Sequence, residues 1–308
     1  MSATSMRRPV PQHHGFSFVE LMVAISMLFS ISGGAFLLLG YFQQVSTSQA
    51  LKADMHAGVR SATELLAQEI GQAGLMSFTP TTLTAAVAAT GSQTATVAST
   101  SGMFVGQILQ VDTGSSLESV TITAVSSSTR FTGTFAQTHG SGVIVYGSGV
   151  YPYGILASST ATSLQMFGDI NADGSLWYLR YDCDTTTNFT LSRSATPITG
   201  FGPIAPASSN TAVVLVDNLI ANPSATPCFK YITTTVTTPA GASYTLTTAI
   251  GLTISTQTAQ KDPQTQQYVT ETKSFLNLAP RNIQGASSLI TAGLTQFLQP
   301  TPTGLPLP

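Results

Sequence analysis

Residues 13–42 read HHGFSFVELMVAISMLFSISGGAFLLLGYF, an apolar run with one acid, Glu20, at its head. From Leu21 to Phe42 no residue is charged, and most are Leu, Ile, Val, Met, Phe or Ala. A helix of that length crosses a hydrocarbon layer of about 30 Å. Arg7 and Arg8 precede it, so the positive-inside rule holds the short leader in the cytoplasm and sends the rest of the chain across. A cleaved secretory signal is the rival reading. It fits poorly, because the run is too long and no small-x-small site follows it. A carboxylate in hydrocarbon costs several kcal/mol, so Glu20 calls for a function. At the interfacial end of a helix it would also sit well beside the positive pole of the dipole.

The composition of the 308 residues points the same way. Charged residues make up 8%, against roughly 25% in soluble globular domains. The net charge of −2 indicates neither a nucleic-acid footprint nor a polybasic membrane patch. Ser, Thr, Ala and Gly stand in for the missing charges, which suits exposed β-structure outside the cytoplasm, with disorder as the alternative. The two cysteines, Cys183 and Cys228, would be buried thiols in a cytosolic protein. In an exported one they read as a disulfide closing a loop of roughly 45 residues, nominally about 4 kcal/mol.

Past Phe42 the pattern turns amphipathic, with Leu51, Met55, Val59, Ala62, Leu66, Ile70 and Ala73 recurring every three or four residues. One helix from Phe16 to about Ala73, roughly 85 Å long, follows from that continuity. Its apolar stripe is packing for a head. Gly33 and Gly34 are either a weak point of the helix or a small-residue contact for another one. The Thr/Ala/Ser-rich stretch that follows reads as a low-complexity linker. After it, VGQILQVDTG, LESVTITAVSSS and TRFTGTFAQTHGSGVIVYG alternate as strands. Strand alternation returns in LWYLRYD and AIGLTIST, and FLNLAPRN closes the last strand at Pro280. Residues 285–308 are expected to be a peripheral, proline-capped tail.

Asp169, Asn171 and Asp173 occupy alternate positions in DINADG. Oxygen ligands at positions 1, 3 and 5 with glycine at 6 open a calcium loop of the EF-hand type, yet position 12 is Arg180, which excludes an EF-hand. Two readings stay open: a partial calcium site completed by Asp182 or Asp184, and an Asx/Gly hairpin turn. The chain has no Gly-rich phosphate loop, HExxH, CxxC or GxSxG, so an enzyme is not expected and no other cofactor is implied. His139 has no Cys, Asp or Glu at informative spacing and reads as a turn histidine. His13 and His14 have no further ligands nearby and read as incidental.

GFSFVELMVAISM resembles the prepilin signature of type IV pilins and type II secretion pseudopilins. The resemblance implies peptidase cleavage between Gly15 and Phe16, methylation of the new amine on Phe16, and an assembly role for Glu20. A neighbouring subunit's terminal ammonium would approach that carboxylate, and the pair would set axial register. The stretch MRRPVPQHHG, from Met6, is closer to family leaders than a start at Met1. Residues 102–147, with VDTG, ExVxIxAV and HxxG, look like a β module of assorted surface and phage-structural proteins. The segment with GDINADGSLWYLRYDCD, VVLVDNLIA and ETKSFLNLAPRN resembles the heads of PilW-like minor pilins and J-type minor pseudopilins.

These resemblances imply an α+β protein: a long N-terminal transmembrane and amphipathic helix on an antiparallel β-sheet pilin head, with a small β module inserted. The expected order is leader 1–15, helix 16–75 (transmembrane over about 21–42), linker and module 76–153, head 154–284 and tail 285–308. The implied function is a minor pilin, a structural subunit acting in type IV pilus assembly or at its tip. The alternatives are a minor pseudopilin of type II secretion and a membrane-anchored adhesin. The implied partners are the prepilin peptidase, other pilins, the inner-membrane assembly platform and the membrane, with no nucleic acid. The implied location is the inner membrane with a periplasmic head, or outside the cell once assembled.

Overall fold

A computed structural model describes residues 15, 17–76, 78–198, 212–302 and 305. Helix α1, Phe18–Gln72, runs for 55 residues without interruption through Gly33 and Gly34. Its apolar first half holds few polar groups, and two of its serines fold back on the helix: Ser26 and Ser30 donate to the carbonyls of Val23 and Ser26 at 2.8 and 2.9 Å, which satisfies their hydroxyls within the helix. No described residue before Ser48 is buried, and Leu37 is 79% exposed. From there the period takes over. Met55, Val59, Ala62, Leu66 and Ile70 form a stripe that is buried against the head. The helix stops where Gly74 adopts φ +75°, a conformation open to glycine. The side-chain amide of Asn282 donates to the carbonyls of Gln72 and Ala73 at 3.2 and 3.3 Å, covering acceptors that a helix end leaves free.

The chain then makes a module of its own. Strands β1 (Thr81–Thr82), β2 (Gly91–Thr96), β3 (Ile108–Val111), β4 (Glu118–Ser127), β5 (Arg130–Phe135) and β6 (Ile144–Gly147) form one antiparallel sheet in the order β1-β6-β3-β4-β5-β2. Its core, which includes Leu83, Val97, Leu109, Val120, Phe131 and Phe135, draws only on its own residues. Leu75 pairs with Val150, so the chain leaves the head and returns to it at one point. The Thr/Ala/Ser stretch is therefore not a linker. Within it β2 pairs with β5 from Gly91↔Phe135 to Thr96↔Arg130, and small Ala95 lies opposite large Phe131. Threonine favours strands and alanine fills the space between aromatics, so low complexity here still makes a packed sheet.

The head has two further antiparallel sheets. Strands β7 (Ser163–Gly168), β8 (Trp177–Asp184), β9 (Thr190–Pro197) and β10 (Val213–Val216) stand in the order β10-β9-β8-β7. In the other, β13 (Ser243–Gln257) pairs with β11 (Leu219–Ile220) and β12 (Phe229–Thr237), and also with β14 (Thr270–Leu278). Leu66 and Ile70 of α1 share one core with Leu164, Leu179, Leu252 and Ile283. Each such side chain removed from water contributes about 1.5–3 kcal/mol.

The segment expected to be a peripheral tail is structural. Helix α2, Arg281–Thr291, spans the expected boundary at 285 and buries Ile283, Ala286 and Ile290 completely. That spacing of three and four places all three on one face. Beyond it Leu298 pairs with Val150 in parallel, and Gln299 is 1% exposed. The Gln299 amide accepts from Ile108 N–H at 3.0 Å and donates to the carbonyls of Ile108 and Ser148 at 2.8 and 2.7 Å. One side chain thus fastens the module to the head.

Candidate functional site

The N-terminal end of α1 projects free of the head. Gly15 is exposed and has open space around it. Phe16, His13, His14 and the rest of the leader lie outside the described residues. Glu20 stands one turn into the helix, where its Oε2 accepts from Ser17 N–H at 3.0 Å. This is the carboxylate half of a capping box, and it answers an amide that the helix start leaves unpaired. Glu20 makes no ion pair with any described residue.

Where α1 reaches the head, polar contacts replace lipid-like surface. Asp262 accepts from the Ser48 hydroxyl at 2.7 Å and lies 3.5 Å from Lys52 Nζ. Bonding to Ser48, and then the amide of Gln264, holds the Asp262 carboxyl below its usual range against the opposing effect of burial. Deeper in, Glu69 is 5% exposed. It accepts from Arg193 Nε and Nη2 at 3.0 and 2.6 Å and also from the Tyr181 hydroxyl. Burial, then the Glu69 charge, pushes the Tyr181 phenol well up. The sequence reading missed this pair, because Glu69 lies 124 residues from Arg193.

Cys183 in β8 and Cys228 just before β12 form a disulfide with Cα atoms 6.5 Å apart. It ties the first head sheet to the second.

The DINADG turn uses its carboxylates internally. Asp169 is fully buried, and its two oxygens accept from the backbone N–H groups of Asp173 and Gly174 at 3.0 and 2.8 Å. Asp173 accepts from Ser175 N–H at 2.8 Å, and Asn171 faces solvent. Neither proposed completing residue is close. Asp182 pairs with Arg180 at 2.8 Å, five residues down β8 from Trp177 and so about 17 Å away. Asp184 accepts from the amides of Thr186, Thr187 and Asn188 in its own turn. Among the described residues, no three of His, Cys, Asp and Glu gather to hold a metal.

His139 is not the unpartnered turn histidine expected. Its ring is fully buried, with Nδ1 3.2 Å from Asp112 Oδ2 and Nε2 2.7 Å from Glu118 Oε1. The bond to His139 holds the Asp112 carboxyl below its usual range, helped by Thr113 N–H. Asp112, Glu118 and His139 belong to VDTG, ExVxIxAV and HxxG, the three landmarks of the module. The histidine ring is enclosed, whereas the Asp112 side chain stays 21% exposed. The cluster fixes the turns around β4 and β6.

These features define a class: a long apolar N-terminal helix on a β-rich, disulfide-bonded head, a layout compatible with a pilin. No protein-family model, curated protein or solved structure matches the chain.

Proposed function

We propose that the protein is a minor pilin, made as a prepilin, cleaved between Gly15 and Phe16, methylated on Phe16 and assembled into a type IV filament. The observation that carries this reading is the division of α1. Its bare half is apolar, carries Glu20 and follows the GFSFVE signature, whereas its other half is built into the head. A single helix of this kind suits both a bilayer and the packed axis of a filament. Before assembly it would hold the head on the periplasmic face of the inner membrane, where the prepilin peptidase and the assembly platform act. In the filament, helices of other pilins would replace lipid around residues 18–47. Glu20, bonded among the described residues to Ser17 N–H, has further oxygen lone pairs for a neighbouring subunit's ammonium.

Glu20→Val tests this. The variant should insert in the membrane at least as well as the native chain, because a desolvation cost is gone. It should nonetheless enter filaments poorly, as measured by immunoblot of sheared pili against the membrane fraction. Equal incorporation of Glu20→Val and native protein would contradict the assembly role.

A further inference from the structure

A groove of about 1140 Å³ opens where the module meets the head. Its floor is the β12–β13 hairpin, carrying Thr233, Thr245 and Thr247. One wall is the 152–159 segment with Tyr153, and the other combines Thr121 of β4 with the Gln299 clasp. The head alone lacks the second wall, so inserting the module creates the groove. The Gln299 bonds to Ile108 and Ser148 hold the two sides in fixed relation.

Three features of the lining restrict its ligand. Among the described residues no Lys, Arg, His, Asp or Glu lines it, so phosphates, acidic polymers and basic peptides find no counter-charge there. Thr233 and Thr247 face each other across the β12–β13 ladder, so the floor presents paired threonine side chains. Finally, the hydroxyls of Thr121, Thr233 and Thr247 and the phenols of Tyr153 and Tyr244 make no hydrogen bond to described residues. Burial, then Tyr244, pushes the Tyr153 phenol above its usual range, which keeps it neutral. Neutral hydroxyls that both donate and accept, set among aromatic faces, suit a ligand with alternating hydroxyl edges and apolar C–H faces. The volume exceeds the roughly 300–1,000 Å³ of ordinary small-molecule pockets and so takes several rings.

We propose that this groove binds a neutral oligosaccharide, with Tyr153 and Tyr244 stacking on sugar rings and the Thr233, Thr245 and Thr247 hydroxyls bonding to theirs. The site does not depend on N-terminal processing, so its failure and that of the pilin reading are distinct results.

The test uses the full chain in sugar-free lipid nanodiscs. The probes are cellohexaose, maltohexaose, mannohexaose and chitohexaose. A heparin hexasaccharide and an uncharged Thr/Pro decapeptide serve as competitors, and titration calorimetry with saturation-transfer NMR gives the readout. At least one neutral hexasaccharide should bind, and neither competitor should. Tyr153→Ala and Tyr244→Ala should each weaken binding about five- to tenfold, and Tyr146→Ala, outside the groove, should not. Should either tyrosine variant melt early, Thr247→Glu supplies the check, since a carboxylate on the floor should abolish binding. The proposal is overturned if all four hexasaccharides fail to bind at millimolar concentration. It is equally overturned if the anionic probe or the peptide binds as well, or if binding survives Thr247→Glu.

Discussion

The two halves of α1 share one backbone and one helical period but are built for different surroundings. In residues 18–47 apolar side chains dominate the circumference, and none of these residues is buried by the described part of the chain. From Ser48 onward the apolar residues narrow to a stripe, and every member from Met55 to Ile70 is buried in the head. An all-round apolar helix needs an apolar solvent or a bundle, and a striped one needs a single packed face. Two of the acids of α1 mark the same division. Among the described residues Glu20 is answered by one amide, whereas Glu69 holds a bidentate arginine and a tyrosine. Among the described residues the bare half has no packing partner, whereas the packed half finds its partners in the head.

Removing contacts from each half should therefore have unequal effects on the head. The largest effect is expected from the disulfide. Cys183→Ala with Cys228→Ala should cost the head about 4 kcal/mol, read from guanidinium unfolding followed by tryptophan fluorescence, since Trp177 begins β8. Helicity of residues 18–47 in a bilayer should not change, and a joint loss would mean that the halves are not separate. Leu66→Ala comes next, at about 3 kcal/mol, because Leu66 is fully buried where α1 meets both head sheets. Leu38→Ala, 59% exposed on the bare half, should stay within about 0.5 kcal/mol in the same assay. Equal effects of these two leucines would break the comparison.

Glu69→Gln should cost about 2 kcal/mol, since Arg193 loses its charge partner but remains a quarter exposed. Glu20→Gln should leave the head's unfolding midpoint unchanged. The smallest effect concerns the Ser48–Asp262 latch at the boundary itself. The Asp262 carboxyl titrates below the ordinary range of an aspartate, foremost because Ser48 donates to it. A depressed folded pKa means that the stabilisation is complete above about pH 4 and is lost as pH falls through the lower folded value. Amide exchange over residues 48–56, corrected for intrinsic rates, should be flat from pH 7 to about 4 and then rise. Asp262→Asn should show the faster exchange already at neutral pH.

Much of this was legible in the sequence. The helix and its change of face follow from residue spacing alone, and the disulfide follows from two cysteines once the chain is read as exported. What stayed hidden was decided by long-range partners. Nothing in the sequence near Glu69 marks it, because its partner Arg193 lies on a strand 124 residues away. His139 seemed unpartnered because Asp112 and Glu118 are 27 and 21 residues away, meeting it only once the sheet closes. The buried face of α2 was readable from the spacing of Ile283, Ala286 and Ile290, but the prolines after it suggested a loose end. The Thr/Ala/Ser stretch looked like a linker because composition, unlike pairing, says nothing of Phe131 and Phe135 waiting opposite.

The central claim is that the bare half of α1 begins at a processed N-terminus and functions among lipids and other helices. Intact-mass analysis of the protein recovered from sheared filaments tests it most directly. The account predicts a chain beginning at Phe16 and carrying one added methyl on its amine, with the native disulfide in place. A chain in those filaments still beginning at Met1 or Met6 would contradict it.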